Sequence, residues 1–472
     1  MKSALLGIFV VFSLNLFGQE SIGIGISNYS PTNSLLLNPS SIVDSKAFMD
    51  IHLVGASVFA RNDYAYFPGS VSFLNPSSFD GVNPSYNPGN APFSAYVDVL
   101  AQGPSVSFQI GKHAGALHTG VRSAVDARNI GNKFATYLTE GFQYLPYQGT
   151  ETRLTDVRVT GLSWAEVGLA YGTILKQDGR DMITGGVHVK KLFGLAGVGL
   201  RLNDWYFTVP DSSNLITQRV SGRYGVSDAG WNTGGGWAFD VGFTYKKSKK
   251  DISGYTPHSR QSGCKKCDYL YKVSVALLDV GSVRFKDDFY ADQFDENTTS
   301  YTWEGYTDEN PKDIAEVAAI VADNLPVLEE NKASSMRVWL PAALSSQIDY
   351  QVVKNVYMNG SLVLGAPFKR ALGVQRASSL AITPRYEIKR FEAALPISFF
   401  ELKDPMIGAM VRLNSVVIGT DNLGALFFSS PKYGADIYVH VKYTIFRSRQ
   451  CKGVKVRESG RGPNQAPGCP TW

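Results

Sequence analysis

The chain has 472 residues, of which 18% are charged and 12% aromatic, with 46 glycines and a formal charge of +5. Charged residues fall below the roughly 25% of ordinary soluble proteins, yet past residue 18 no stretch has the ~20 unbroken apolar residues of a membrane helix. This argues against a helical membrane protein and fits a soluble α/β enzyme poorly, and so mild a charge gives no reason to expect nucleic acid.

Residues 1–18 have the parts of an export signal: Lys2, an apolar run from Ala4 to Phe17, and Gly18 near the cut. No cysteine follows, so no lipid anchor is expected. Residues 61–103 are rich in turn formers, including Asn75-Pro76, Asn83-Pro84 and Asn87-Pro88, and read as a connection rather than a domain.

Period-2 alternation then dominates. In 162–174, Ala165, Val167, Leu169 and Tyr171 oppose Glu166, Gly168, Ala170 and Gly172. In 181–190, Ile183, Val187 and Val189 oppose Thr184, Gly186, His188 and Lys190. In 236–245, Trp237, Phe239, Val241, Phe243 and Tyr245 oppose Ala238, Asp240, Gly242 and Thr244. In 380–389, Leu380, Ile382, Tyr386 and Ile388 oppose Thr383, Arg385, Glu387 and Lys389, and in 437–445, Val439, Val441 and Tyr443 oppose Tyr438, His440 and Lys442. Side chains alternate across a strand, so each segment has one greasy and one small or polar face.

The segments match the 9–11 residues of a tilted membrane strand, and Tyr171, Tyr245, Tyr271 and Phe446 sit near segment ends, where an interfacial girdle belongs. These features predict an all-β fold, a transmembrane antiparallel β-barrel of about 14 strands, starting near residues 48, 104, 115, 162, 181, 235, 270, 336, 355, 379, 392, 405, 415 and 436. With both termini in the periplasm, the long connections 61–103, 127–161, 193–234 and 286–335 follow odd strands and face outside. Short turns follow even strands. The exception is 246–269, a longer periplasmic turn with Lys246, Lys247, Lys249, Lys250 and the pair Cys264 and Cys267.

Two other features stand apart. Asn310-Pro311 opens a segment with Ile314, Val317, Ala318, Val321 and Leu325 at helical spacing, which predicts one amphipathic helix in an extracellular loop. The tail 447–472 is basic and rich in Pro and Gly, and reads as poorly ordered periplasmic chain. Cys264, Cys267, Cys451 and Cys469 lie in polar segments outside the cytoplasm, where disulfides are the default for thiols. Cys264-Lys265-Lys266-Cys267 has the spacing of a redox or half-zinc motif, but neither a βαβ setting nor two further ligands accompany it.

Near the mature N-terminus, Asn38-Pro39-Ser40 resembles the "NPA"-type hatch signature of FadL-like barrels, which include the long-chain fatty acid transporter and the PorV and PorP/SprF proteins; Ser40 stands where a small Ala is usual. Stretches 278–285 (Leu-Asp-Val-Gly-Ser-Val-Arg-Phe), 340–344, 418–423 and 434–438 resemble a branch of this superfamily known only as outer-membrane barrels of unknown function. The resemblance implies a fourteen-stranded barrel in a Gram-negative outer membrane, with an N-terminal segment plugging the lumen. The domain plan is then signal 1–18, hatch 19–46, barrel 47–446 and tail 447–472.

Inward-facing polar candidates are Glu166, His188, Lys190, Asp240, Arg385, Glu387 and Arg412. They could form an acid/base site, but a wet lumen alone accounts for them. No nucleophile elbow, Walker loop or zinc helix occurs, and no cofactor is implied. The expected function is non-enzymatic: passive transport of small hydrophobic molecules through a hatch-gated lumen. The alternative is a PorV/PorP-like scaffold bound to secretion-system or surface proteins. Outer-membrane lipid is the expected surroundings in either case.

Overall fold

The computed structural model describes residues 21–451, apart from 74, 88–91, 141–143, 212–213, 261, 263–265, 287–288, 297–300, 305–334, 369–370 and 428–430. The expected signal segment and the amphipathic helix at 310–326 lie outside the described residues.

Fourteen antiparallel staves close on themselves. They are β1 (Met49–Asn62), β2 (Phe93–Gln102 and Ser105–Ile110), β3 (His113–Ile130), β4 (Glu151–Asp178), β5 (Asp181–Thr208) and β6 (Asn214–Ser227 and Gly234–Ser248). Then come β7 (Tyr269–Phe285, Phe289–Glu296 and Tyr301–Glu304), β8 (Met336–Trp339 and Ala343–Val353), β9 (Val356–Gly365) and β10 (Ser379–Glu387). The last are β11 (Phe391–Ala394 and Ile397–Phe400), β12 (Asp404–Ile407 and Ala409–Leu413), β13 (Val416–Thr420) and β14 (Gly434–Ile445). β14 pairs with β1 in the register Met49↔Ile445, so no edge remains to expose unpaired amides to lipid.

The wall follows from the alternation. On β6 the outward Trp237, Phe239, Val241 and Phe243 are 40–53% exposed, while Ala238 and Asp240 between them are at most 2% exposed. The same belt of exposed aliphatic and aromatic side chains recurs on the other staves, as at Leu169, Leu277, Ile382 and Ile418. Only hydrocarbon stabilises such a belt. Short turns cluster at one end of the barrel: Gly111-Lys112, Gly179-Arg180, Lys354-Asn355 and Asn414-Ser415 each follow an even stave. Gly111, Gly179, Asn355 and Asn414 take left-handed backbone there, as tight hairpins require.

At the opposite end the staves run further than the alternation suggested. β2 starts at Phe93 rather than near 104, β4 at Glu151 rather than near 162, and β6 at Asn214 rather than near 235, so much of the expected loops 61–103, 127–161 and 193–234 is strand. Beyond the belt the outward residues meet water and lose their aliphatic signature. The inward residues there pack a core of their own, with Leu154, Val157, Leu202, Phe207 and Val220 around Tyr137.

The pairing also contains a bulge in β7. Phe239 pairs with Val280 but Val241 pairs with Leu277, and Asp279 adopts a left-handed φ of 53°. Strict alternation from Val273, Val275 and Leu277 would point Asp279 at lipid; the extra residue turns it inward.

Val241→Arg is expected to lower folding free energy into lipid vesicles by about 2–4 kcal/mol, the usual cost of a cation near the midplane of such a wall. Urea titration of vesicle-folded protein checks this; a neutral substitution would mean the belt faces water.

Candidate functional site

The lumen is occupied by the chain's own N-terminal segment. Residues 21–47 form two single helical turns, Ile22–Gly25 and Pro31–Ser34, and a tighter turn, Pro39–Ile42, and almost all are buried. The Asn38 side chain shapes the last turn: its Oδ1 accepts from the Ser40 amide at 2.8 Å and from the Ser40 hydroxyl at 2.7 Å. Asn38 Nδ2 donates to the Phe243 carbonyl at 3.3 Å, and the Ser40 hydroxyl meets Thr244 on β6 at 2.7 Å. Two inward glycines make the seat. A Cβ on Gly186 would lie 2.5 Å from the Pro39 backbone, and one on Gly242 would lie 2.2 Å from Asn38 Oδ1. The glycine-rich inner face of β5 and β6 thus accommodates the backbone of the N-terminal segment.

Charged side chains from the far wall hold the rest of the segment. Lys442 donates to the Tyr29 carbonyl and the Ser30 hydroxyl and pairs with Asp50 at 3.2 Å, and Thr32 donates to that carboxylate. Glu387 accepts from Asn28 Nδ2 at 2.7 Å and pairs with Lys46 at 3.0 Å and Arg385 at 3.1 Å. Arg385 also pairs with Asp349 at 2.9 Å. Glu392 accepts from Ser27 at 2.7 Å and pairs with Arg412 at 3.0 Å. Burial pulls the Lys46 ammonium down, but the charge of Glu387 outweighs it and holds Lys46 well above the ordinary lysine range. Burial raises the Tyr29 phenol to about 12. Each charge is matched, as burial demands.

Above the segment, towards the long-connection end, a second cluster centres on Asp279. Its carboxylate meets Lys190, Arg122 at 2.9 Å and Arg376 at 3.2 Å. Its amide donates to Asp240 at 2.6 Å, and Asp240 also holds Lys190 at 2.8 Å and His188 at 2.9 Å. Trp164 donates to Glu166 at 2.8 Å. Arg376 comes from the connection after β9, whose residues 371–378 turn down into the barrel. Leu372, Val374 and Ala377 of that connection pack with Phe59, Phe285 and Met336, and Val374 is hydrogen-bonded to Trp339. Between this inserted connection and the N-terminal segment lies a small chamber of about 50 Å³ that opens towards solvent. Ile24, Leu36, Leu37, Tyr96 and Leu100 give it apolar walls, and Asp98, Arg122, Lys190 and Arg376 give it a charged side.

At the short-turn end, residues 249–260 and 266–268 fold under the N-terminal segment as a floor. Ile252 is buried with Leu35, Ile42 and Val43, and Tyr255 donates to Asp44 at 2.9 Å. His258 Nε2 lies 2.9 Å from the Ser45 carbonyl, and the His258 carbonyl accepts from Ser448 at 2.7 Å. The start of the basic tail is therefore packed rather than loose, with Ser448 and Cys451 buried. Cys267 and Cys451 are both in disulfides; Cys264 and Cys469 lie outside the described residues.

The structure thus places Glu166, His188, Lys190 and Asp240 in the upper cluster, and Arg385, Glu387 and Arg412 against the N-terminal segment. Residues that sequence reasoning passed over include Asp279, Arg122, Arg376, Asp349 and Asp50, and Lys442, read there only as part of a polar face, proves to hold the N-terminal segment. Asp279 carried a signal, since it broke the outward alternation of β7. Arg376 carried none. His52 and His440, far apart in sequence, meet at 3.1 Å. Among the described residues no three His, Cys, Asp or Glu side chains are placed to hold a metal ion.

Among known proteins, the model of a family of unknown function (DUF5723) matches residues 39–421. No curated protein matches the chain. Similar solved structures include the toluene transporter TbuX of Ralstonia pickettii, 10% identical over 92% of this chain and 100% of that one, with a TM-score of 0.41. The toluene transporter TodX of P. putida is 9% identical over 88% and 94%, with a TM-score of 0.39. A FadL homologue of Pseudomonas aeruginosa is 7% identical over 91% and 98%, with a TM-score of 0.27. Likeness at this level assigns no cargo.

Acid is expected to loosen the floor. Burial, with the Lys266 ammonium adding to it, lowers His258 from 6.5 to about 4. A depressed imidazole contributes stability that is complete above about pH 6.5 and is lost as pH falls towards 4, by at most about 3 kcal/mol. Proteolysis within 249–268 should accelerate over that window in the parent and much less in His258→Gln; identical profiles would contradict the assignment.

Proposed function

Because the chain belongs to the DUF5723 family, whose function is unknown, membership brings no activity with it, and we propose from the geometry that this is a non-enzymatic outer-membrane barrel. In this reading small hydrophobic molecules pass through the lumen when the N-terminal segment moves. The short-turn end faces the periplasm and the extended staves face outside, as in barrels with both termini inside. Residues 21–47 act as the hatch, and the chamber above them receives the solute. The observation that carries the reading is that chamber: its apolar wall of Ile24, Leu36, Leu37 and Leu100 is contributed largely by the segment itself. Moving the segment would join the chamber to the floor. The segment's hold combines hydrogen bonds and ion pairs that water can replace with two apolar contacts, Leu35, Ile42 and Val43 on one side and Ile24 against Met410 and Val417 on the other.

One observation favours a scaffold instead. The floor is closed by residues 249–260 and 266–268, hydrogen-bonded through Tyr255 to Asp44 and tied into a disulfide at Cys267. A barrel sealed in this way would present loops to secretion or surface partners without conducting.

Cross-linking separates the two. In proteoliposomes, Ser40→Cys and Thr244→Cys alone should admit a hydrophobic fluorophore faster than empty vesicles, and the oxidised double variant should slow uptake about tenfold, since its hatch cannot leave. Uptake that never exceeds that of empty vesicles would remove the transport reading and leave the scaffold.

A further inference from the structure

The outward face of the wall carries a cluster that transport does not use. At the long-connection edge of the aliphatic belt, Arg284 on β7 stands directly opposite Arg337 on β8, and Gly235 on β6 faces Arg284 from the other side. The adjacent row is Lys191, Trp237, Ser282 and Trp339 on β5 to β8. Arg284 and Arg337 are exposed while Val283, Phe285, Met336 and Val338 beside them are buried, so both guanidiniums leave the barrel on its outer side. Lys191 Nζ lies 5.1 Å from the Trp237 ring, and a Cβ on Gly235 would be 3.9 Å from that ammonium. With no side chain at Gly235, the three cations share one open patch.

Like charges directly opposite across an antiparallel pair repel each other. Inside the lumen the protein avoids this: Arg122, Arg385 and Arg412 each rest on a carboxylate at 2.9–3.0 Å. Outside it does not. Among the described residues none of Lys191, Arg284 and Arg337 rests on a carboxylate. A cation on the lipid face costs little only at headgroup level, where tryptophan also collects. An anion at headgroup level is placed to supply the counter-charge. Guanidinium groups take phosphate oxygens in pairs, and the exposed Trp237, Phe239 and Val280 just below offer apolar surface to an acyl chain.

We propose that Lys191, Arg284 and Arg337 form a binding site for the phosphorylated headgroup of an outer-leaflet glycolipid, the chain lying along Trp237 and Phe239. This rests on the membrane-spanning, outward-facing orientation above and is independent of whether the lumen conducts.

Native mass spectrometry of the full chain in detergent tests it, with diphosphorylated lipid A, enzymatically dephosphorylated lipid A and inorganic phosphate as probes. The parent is expected to retain the diphosphorylated lipid at least about tenfold better than the dephosphorylated one, and the Lys191→Gln/Arg284→Gln/Arg337→Gln variant to lose that preference. Equal retention of both lipids by the parent, or undiminished preference in the variant, would overturn the site. Inorganic phosphate binding as tightly as the lipid would overturn the lipid assignment. Heat-dependent gel mobility confirms the variant's barrel; if it does not fold, Arg337→Gln alone is read in the same assay, and an unchanged preference there counts against the proposal.

Discussion

Charge that cannot reach water must be matched by charge, and in this barrel that constraint shapes both lumen and wall. Lipid outside forbids charged residues on the belt, so the acids and bases of the staves crowd inwards. There they neutralise one another and the N-terminal segment together. Asp279 shows how far backbone geometry yields to this demand: β7 gives up its regular register and adopts a left-handed residue to bring one carboxylate among Lys190, Arg122 and Arg376. The cost of such a backbone is of order 1–3 kcal/mol, and a carboxylate facing hydrocarbon would cost more than the smaller of those figures.

The same ion pairs make the barrel a layered closure rather than an open pore. From the extended end inwards, residues 371–378 and their apolar packing come first, then the Asp279 cluster, then the chamber, then the N-terminal segment and finally the floor. Arg376 links the first two layers, and Asp44 links the last two through Tyr255. Solute movement through such a stack requires the layers to exchange partners, with hydrogen bonds to water or solute replacing those now made within the chain.

Much of the wall was legible in the sequence because alternation with period two is imposed directly by the strand. Trp237, Phe239, Val241 and Phe243 needed nothing more, and the fourteen starting points follow from repeating that pattern. The extended ends of β4, β5 and β6 were not legible, because outside the membrane Arg153, Tyr206 and Arg219 satisfy a strand as well as a loop. Pairings across the lumen were hidden for a different reason. Glu387 and Asn28 are separated by most of the chain, and only closure of the barrel brings them to 2.7 Å. The seat for Asn38-Pro39-Ser40 was half visible: Gly186 and Gly242 signalled a small inner face, but not that another segment's backbone fills it.

Everything in the lumen depends on the N-terminal segment lying inside the barrel, held by the wall. Hydrogen–deuterium exchange of the full chain in nanodiscs tests this most directly. Amides of 22–43 are expected to exchange as slowly as those of β5 and β6, since they are buried in turns and against the staves. Complete exchange of that segment within seconds, with the staves still protected, would contradict it.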